Sequence, residues 1–177
     1  MRNVSAILKA TVTLTLICAL VVAALAVTNL VTQGPIAENE RLATETACKT
    51  VMPSATAFEP IEIARDGVLE MYKATADGET VGYVVKTSTK GKGNAFVLMT
   101  AVSLDGTVVG LEVVSDNETA GYVNKVKSGG LFEALNGTDA ATVGEVDAVA
   151  QATKTSSAVL SGVKLALEAV GEVSTLG

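Results

Sequence analysis

The sequence predicts an α+β protein in which one apolar N-terminal helix precedes a twisted antiparallel sheet with helices packed on one face. Three observations predict this class. Residues 10–32 carry no charged side chain and are mostly Val, Leu and Ala, as in a membrane-spanning helix. Four runs of β-forming residues follow between positions 68 and 114, with two Asp-Gly hairpin signals. Between residues 159 and 170, apolar residues recur at the three- and four-residue spacing of a helix face.

The composition restricts the classes of function. A chain of 177 residues fits one domain with an appendage, and its net charge is -6. An acidic chain without basic runs and with 3% aromatic residues is poorly suited to nucleic acid. The sequence contains no histidine, which removes the commonest general base and a preferred zinc ligand. We therefore expect no nucleic-acid partner, no metal site and no self-contained catalytic residues.

Residues 10–32 are long enough to cross a membrane as one helix. At roughly 1.5 Å per residue they extend about 35 Å, whereas a hydrocarbon core is about 30 Å thick. Arg2 and Lys9 precede the segment and acidic residues follow it, which favours a cytoplasmic N-terminus at residues 1–9. We therefore expect a single-pass protein of the inner (cytoplasmic) membrane, embedded in lipid, with an extracytoplasmic C-terminal domain.

A cleaved signal peptide is the alternative interpretation of the same segment. Ala24-Leu25-Ala26 offers a small-x-small cleavage site after a basic start. Apolar character continues through Leu30 and Val31, beyond a usual signal-peptide core, and this favours a retained anchor. Both interpretations export the same domain. Cys18 lies in the apolar segment and Cys48 outside it, so we expect no intramolecular disulfide.

The chain after the membrane segment divides into a juxtamembrane helical linker, residues 33–60, and a domain, residues 61–177. Gln33-Gly34-Pro35 predicts a break at the exit from the membrane. Residues 36–52 are typical of a helix that Pro53 ends, and a short turn is expected to follow.

Four strands are predicted in the domain. They cover residues 68–74, 80–87, 95–103 and 107–114. Asp77-Gly78 and Asp105-Gly106 join them into two hairpins, and residues 88–94 predict a flexible basic loop between these hairpins. Residues 143–149 predict a final strand that leads into the C-terminal helix.

Residues 147–159 place small side chains and hydroxyls just ahead of that helix. One of the hydroxyls at residues 155–157 is expected to cap it. The small side chains of Ala150 and Ala152 would let a bulky group approach the backbone, and the free N–H groups of a helix start suit a phosphate. Spacing alone leaves two interpretations open, a plain helix cap or a phosphate-binding site.

The run Asp147-Ala148-Val149-Ala150-Gln151-Ala152-Thr153 resembles the flavinylation motif Asp-x-x-Ser/Thr-Gly-Ala-Thr of FMN-binding domains. Such domains occur in the G subunit of the Rnf complex and in the C subunit of the sodium-pumping NADH:quinone reductase. In that family the last threonine carries FMN through a phosphoester bond. The resemblance implies covalent FMN on Thr153, with Asp147 as the leading acid and Ala152 as the motif's alanine. The chain departs from the motif at Ala150 and Gln151.

A second run, Glu118-Thr119-Ala120-Gly121-Tyr122, resembles the Glu-Thr-Pro-Gly-Leu-Gly motif of the same G subunits. In this chain and in those G subunits alike, the run follows a strand–Asp-Gly–strand hairpin. The resemblance implies that Glu118, Thr119 and Gly121 lie near the isoalloxazine or the ribityl chain of FMN.

The implied function is that of a membrane-anchored electron-transfer subunit, which relays electrons through FMN in an Rnf-type complex. That complex couples electron flow between ferredoxin and NAD to the movement of Na⁺ or H⁺. The implied partners are the other Rnf subunits and, for maturation, a flavin transferase. Two alternatives stay open. One is another extracytoplasmic flavoprotein, serving quinone reduction or extracellular electron export. The other is a flavin-free anchored binding module in which Thr153 only caps a helix.

Overall fold

The computed structural model describes residues 2–90, 95–116 and 121–176. The chain divides into two compact units, Met1–Leu42 and Ala43–Gly177. The helices are α1 (Arg2–Val51), α2 (Tyr122–Ser128), α3 (Leu131–Leu135) and α4 (Thr153–Leu176). The strands are β1 (Ala57–Ile61), β2 (Val68–Ala76), β3 (Glu79–Lys90), β4 (Ala95–Ser103) and β5 (Val108–Asp116).

The first unit is the N-terminal part of α1. From Ile7 to Gly34 this helix is long and apolar enough to cross a membrane, and none of its most apolar window is buried against protein. Threonine hydroxyls in this stretch donate back to the carbonyl four residues earlier, which satisfies them inside an apolar segment. These threonines are Thr11, Thr13, Thr15, Thr28 and Thr32. The unit confirms the predicted apolar N-terminal helix, although a signal sequence would have the same character.

The break predicted at residues 33–35 is wrong. These residues are helical, and α1 continues to Val51. A proline removes one backbone donor from a helix, while the turns on both sides keep their own hydrogen bonds and can carry the helix through. The helix end predicted at Pro53 is confirmed to within two residues.

The second unit contains a five-stranded antiparallel sheet in the order β1-β2-β3-β4-β5, so that each strand pairs with its neighbour in sequence. The four predicted strands are confirmed. Asp77 and Gly78, between β2 and β3, adopt φ 52° and 86°, the pair of positive values that a tight two-residue hairpin requires. Between β4 and β5, Gly106 has φ 77° and donates its N–H to the Ser103 carbonyl at 3.1 Å.

Strand β1 lies where a turn was predicted. It is an edge strand, bonded to β2 alone, from Ala57 opposite Thr75 to Ile61 opposite Met71. An edge strand tolerates Pro60, because the missing N–H need not serve a second neighbour. The predicted basic loop at residues 88–94 is wrong at residues 88–90, which belong to β3, and its residues 91–94 lie outside the described residues.

Helix α4 covers one face of the sheet. Its fully buried side chains Val159, Val163 and Ala166 join Leu98 and other sheet residues in the main hydrophobic core. A Cβ added at Gly162 would lie 2.9 Å from Thr87 Oγ1 and 3.2 Å from Leu98 Cδ2. The glycine therefore lets α4 lie directly against β3 and β4.

The helices that follow the sheet contribute to the core on that one face, as predicted. The opposite face is covered by the end of α1, a contact that the sequence did not predict. Ala47, Cys48 and Val51 are buried there in a second cluster. The sheet contributes apolar side chains to both faces, and each face needs a cover. The sheet side chains fully buried in this second cluster are Ala74, Val84, Met99 and Ala101.

The final strand predicted at residues 143–149 is also wrong. Val143–Glu145 form one turn of 3-10 helix, and residues 146–149 contain no strand. Asp139 organises this turn, since its Oδ1 accepts from the N–H groups of Ala141 and Thr142 at 2.9 Å. These bonds, with Thr142 foremost, hold the pKa of the Asp139 carboxyl below its usual value. Local side-chain bonding thus replaces strand pairing here.

Candidate functional site

Helix α4 begins at Thr153, the residue that the flavinylation motif singles out. The predicted caps Thr155, Ser156 and Ser157 are wrong, because all three lie inside the helix. The first helical bond runs from the Ser156 N–H to the Ala152 carbonyl at 2.8 Å. Ala152 therefore holds the position before the helix, and its side chain is buried.

The hydroxyls of the first turn are in different environments. Thr155 and Ser156 are buried. Ser156 Oγ accepts from the Val149 N–H at 3.1 Å, which ties the preceding segment to the helix. Ser157 Oγ donates to the Thr153 carbonyl at 2.9 Å. Thr153 itself is exposed, as is Ser157, whose hydroxyl is already bonded to the Thr153 carbonyl.

The residue two positions before Thr153 has a left-handed backbone. Gln151 has φ 64°, and the Ala152 N–H closes the turn on the Val149 carbonyl at 3.1 Å. A turn with positive φ at its third residue favours glycine, the residue that the motif has at this position. The chain therefore adopts a conformation that suits glycine with a glutamine in its place, at a cost of about 1 kcal/mol.

Gln151→Gly is expected to raise the free energy of unfolding by about 1 kcal/mol, because glycine adopts positive φ without a Cβ clash. Chemical denaturation of the full chain in detergent would measure the change. Gln151→Ala is the matched control, since alanine also shortens the side chain but keeps the Cβ. An equal gain in both variants would show that backbone strain at this position is not the cause.

A cleft of about 280 Å³ opens at the helix start. It is lined by Tyr122 and by the consecutive residues Gln151, Ala152, Thr153, Lys154 and Thr155. Its volume is close to the lower end of the roughly 300–1,000 Å³ found for clefts that hold small organic ligands. One wall is thus the start of α4, and the other is the first residue of α2.

Close packing holds the two walls together. Gly121, which precedes α2, has φ 96°, and its carbonyl accepts from the Lys125 N–H at 3.0 Å. At the other end of α2, a Cβ added to Gly129 would lie 2.6 Å from Val149 Cγ1. Helix α2 therefore lies against the same segment that Ser156 ties to α4.

Two lysines lie in or beside the described lining of the cleft. Lys154 lines it directly. The ammonium of Lys125 lies 5.5 Å from the centroid of the Tyr122 ring, within the range of a cation–π interaction. An anionic ligand in the cleft would therefore meet Lys154 and the positive end of α4, with Lys125 beside the Tyr122 wall.

The structure brings together some of the residues predicted for the site. Thr153 and Ala152 line the cleft, and Gly121 directly precedes Tyr122. Asp147 is exposed and does not belong to the described lining. Glu118 and Thr119 lie outside the described residues. Sequence reasoning missed Tyr122, although its position directly after the Glu-Thr-x-Gly run was the available signal.

Comparison with known proteins identifies the family. The chain is 30% identical to the G subunit of the Na(+)-translocating ferredoxin:NAD(+) oxidoreductase complex of Acetobacterium woodii, over 89% of this chain and 88% of the relative. This protein belongs to the RnfG family. It is also 31% identical to the G subunit of the ion-translocating oxidoreductase complex of Methanosarcina acetivorans, over 96% of this chain and 97% of that relative.

Two domain families match different parts of this RnfG homologue. The RnfG N-terminal region matches residues 1–51 and ends at the last residue of α1. The FMN-binding domain matches residues 91–168, a range that contains every described residue of the cleft. The resemblance inferred from the two short motifs is confirmed.

Proposed function

We propose that this RnfG homologue relays electrons within an Rnf-type membrane complex through FMN esterified to Thr153. The family supports the electron-transfer role. The observation that carries the attachment site is the exposed Thr153, which lies in a cleft at the start of α4 while Thr155 and Ser156 are buried. FMN, when bound, supplies reversible electron transfer, and the chain's own residues hold and orient it.

The start of α4 is suited to the phosphate of FMN. A phosphodiester on Thr153 Oγ keeps one negative charge. The first N–H groups of a 24-residue helix lack intrahelical acceptors and carry partial positive charge, which stabilises an anion. Lys154 adds a full positive charge to the lining of the same cleft. Asp147, as the leading acid of the motif, is proposed to serve recognition by a flavin transferase, since it is exposed.

The rest of the complex must supply the other cofactors. The chain has two cysteines, Cys18 in the apolar helix and Cys48 in the core. Burial raises the pKa of the Cys48 thiol to about 11, which keeps it protonated. Two thiols are too few for an iron–sulfur site, which takes about four cysteine ligands. We therefore place iron–sulfur clusters and nucleotide sites on the partners in the complex.

Analysis of the protein from its native membranes tests the attachment. The expected result is a yellow protein whose peptide containing Thr153 carries the mass of FMN. The native host matters, because attachment depends on the flavin transferase. A colourless protein without a mass increment would overturn the proposal and favour a flavin-free binding module.

The proposed topology places residues 1–9 in the cytoplasm and the second unit outside. Asp105 lies at an exposed hairpin and is a suitable reporter for the domain. In a Cys18→Ala background, we expect Asp105→Cys to react with a membrane-impermeant thiol reagent in intact cells. Asn3→Cys is the matched control and should react only after lysis. The reverse labelling pattern would contradict an extracytoplasmic domain.

A further inference from the structure

The cleft at Thr153 has a single aromatic residue in its described lining, Tyr122. The chain contains three tyrosines and three phenylalanines in all. Phe58 and Tyr72 pack on the sheet face covered by α1, and Phe96 is fully buried in the main core. Tyr122 is half-buried, and it both packs against the main core and lines the cleft.

We propose that the Tyr122 ring forms the surface against which the isoalloxazine of FMN packs. This inference rests on the proposed attachment at Thr153. A flavin tethered at Thr153 would have Tyr122 as the facing wall of the same cleft. Two flat aromatic systems at such a contact gain both apolar burial and offset stacking. The function of the ring is to hold the orientation of the flavin.

The ring is held in place before any ligand arrives. Tyr122 is the first residue of α2, directly after the left-handed Gly121. Lys125, one turn later, places its ammonium 5.5 Å from the ring centroid. The close approach of Gly129 to Val149 fixes the helix against the segment that leads to Thr153. A preorganised side chain of this kind orients a ligand better than a mobile one does.

Tyr122 is one of the positions at which this chain differs from the motif that it resembles. The Glu-Thr-Pro-Gly-Leu-Gly motif has leucine where this chain has Tyr122. Leucine is compatible with the same fold but offers no aromatic face. The tyrosine therefore gives the proposed flavin site a stacking surface that the Glu-Thr-Pro-Gly-Leu-Gly motif lacks.

Flavin fluorescence provides the test, since the electron-rich phenol of a tyrosine in contact with an excited flavin quenches its emission. The phenol donates one electron to the photoexcited ring and receives it back, so that no net oxidation remains. In native flavinylated protein, Tyr122→Phe is expected to raise the fluorescence yield several-fold while the visible absorption of bound flavin persists. Tyr122→Leu, which restores the residue of the motif, should raise it as well.

Tyr72→Phe is the matched control, because Tyr72 packs on the opposite sheet face, and it should leave the yield unchanged. Peptide mass analysis of each variant confirms that Thr153 still carries the flavin. If Tyr122→Phe is flavinylated at Thr153 and its yield equals that of the wild type, the aromatic wall is refuted and the attachment stands. If wild-type Thr153 carries no flavin, the proposed function fails first and this inference fails with it.

Discussion

Replacing Thr153 with alanine is expected to abolish covalent flavin entirely. The phosphoester needs the Thr153 Oγ, and alanine has no atom that can take its place. The neighbouring hydroxyls cannot easily substitute, since Thr155 and Ser156 are buried and Ser157 Oγ is bonded to the Thr153 carbonyl. In-gel fluorescence of the denatured protein, expressed together with a flavin transferase, would measure the proposed covalent flavin and should fall to background.

Ser157→Ala is the matched control for this loss. It removes an exposed hydroxyl from the same helical turn but leaves the proposed acceptor intact, so full fluorescence is expected. Thr153→Ser keeps a hydroxyl and should retain part of the signal. Full fluorescence in Thr153→Ala would move the attachment to another residue and remove the central support for the proposed function.

The sheet was largely predictable because its turns are specified by local residues. Asp77 and Gly78 both adopt the positive φ that a two-residue hairpin needs, and Gly106 does the same in the second hairpin. Strand β1 was not predictable in this way, since its five residues include Pro60 and do not alternate regularly between buried and exposed. It is a strand because β2 offers a free edge, which is a property of the assembled sheet.

At residues 33–35 and 143–149, by contrast, the local sequence predicted the wrong structure. At both places the surrounding structure outweighed the local preference of the residues, and that structure is not evident from the sequence. Pro35 lies between long helical stretches that outweigh one missing donor. At residues 143–149 the β-branched side chains favour a strand, yet Asp139 offers the backbone a closer hydrogen-bond acceptor. Boundaries that depend on such competition need the three-dimensional structure.

The candidate site was predictable from the sequence only where its residues belong to a recognisable motif. Thr153 came from the resemblance, because a lone threonine at a helix start indicates no more than a cap. The glycine that the motif has at this position suggests a positive φ for Gln151, and the structure has φ 64° there. That Tyr122 and Thr153 line the same cleft could be seen only in the tertiary fold. Tyr122 begins α2 and Thr153 begins α4, and α2 approaches the segment before α4 through Gly129 and Val149.

The second large effect is expected at Gly110, which lies on β5 beneath the end of α1. A Cβ added there would be 2.0 Å from the Val51 carbonyl oxygen and 2.8 Å from its carbon. Both are backbone atoms, so a rotamer change cannot relieve the clash. Gly110→Ala is therefore expected to lower the free energy of unfolding by about 3 kcal/mol, the upper part of the range for overpacked sites. Thermal unfolding of the full chain in detergent measures this loss.

The location of the damage can be tested through Cys48, which is buried one turn before Val51 and only 1% exposed. If Gly110→Ala forces the end of α1 away from the sheet, Cys48 should react with a thiol reagent much faster in a Cys18→Ala background. Gly144→Ala is the control, since a Cβ there meets nothing within 4 Å. Unchanged stability and thiol reactivity in Gly110→Ala would mean that the end of α1 does not pack on this face of the sheet.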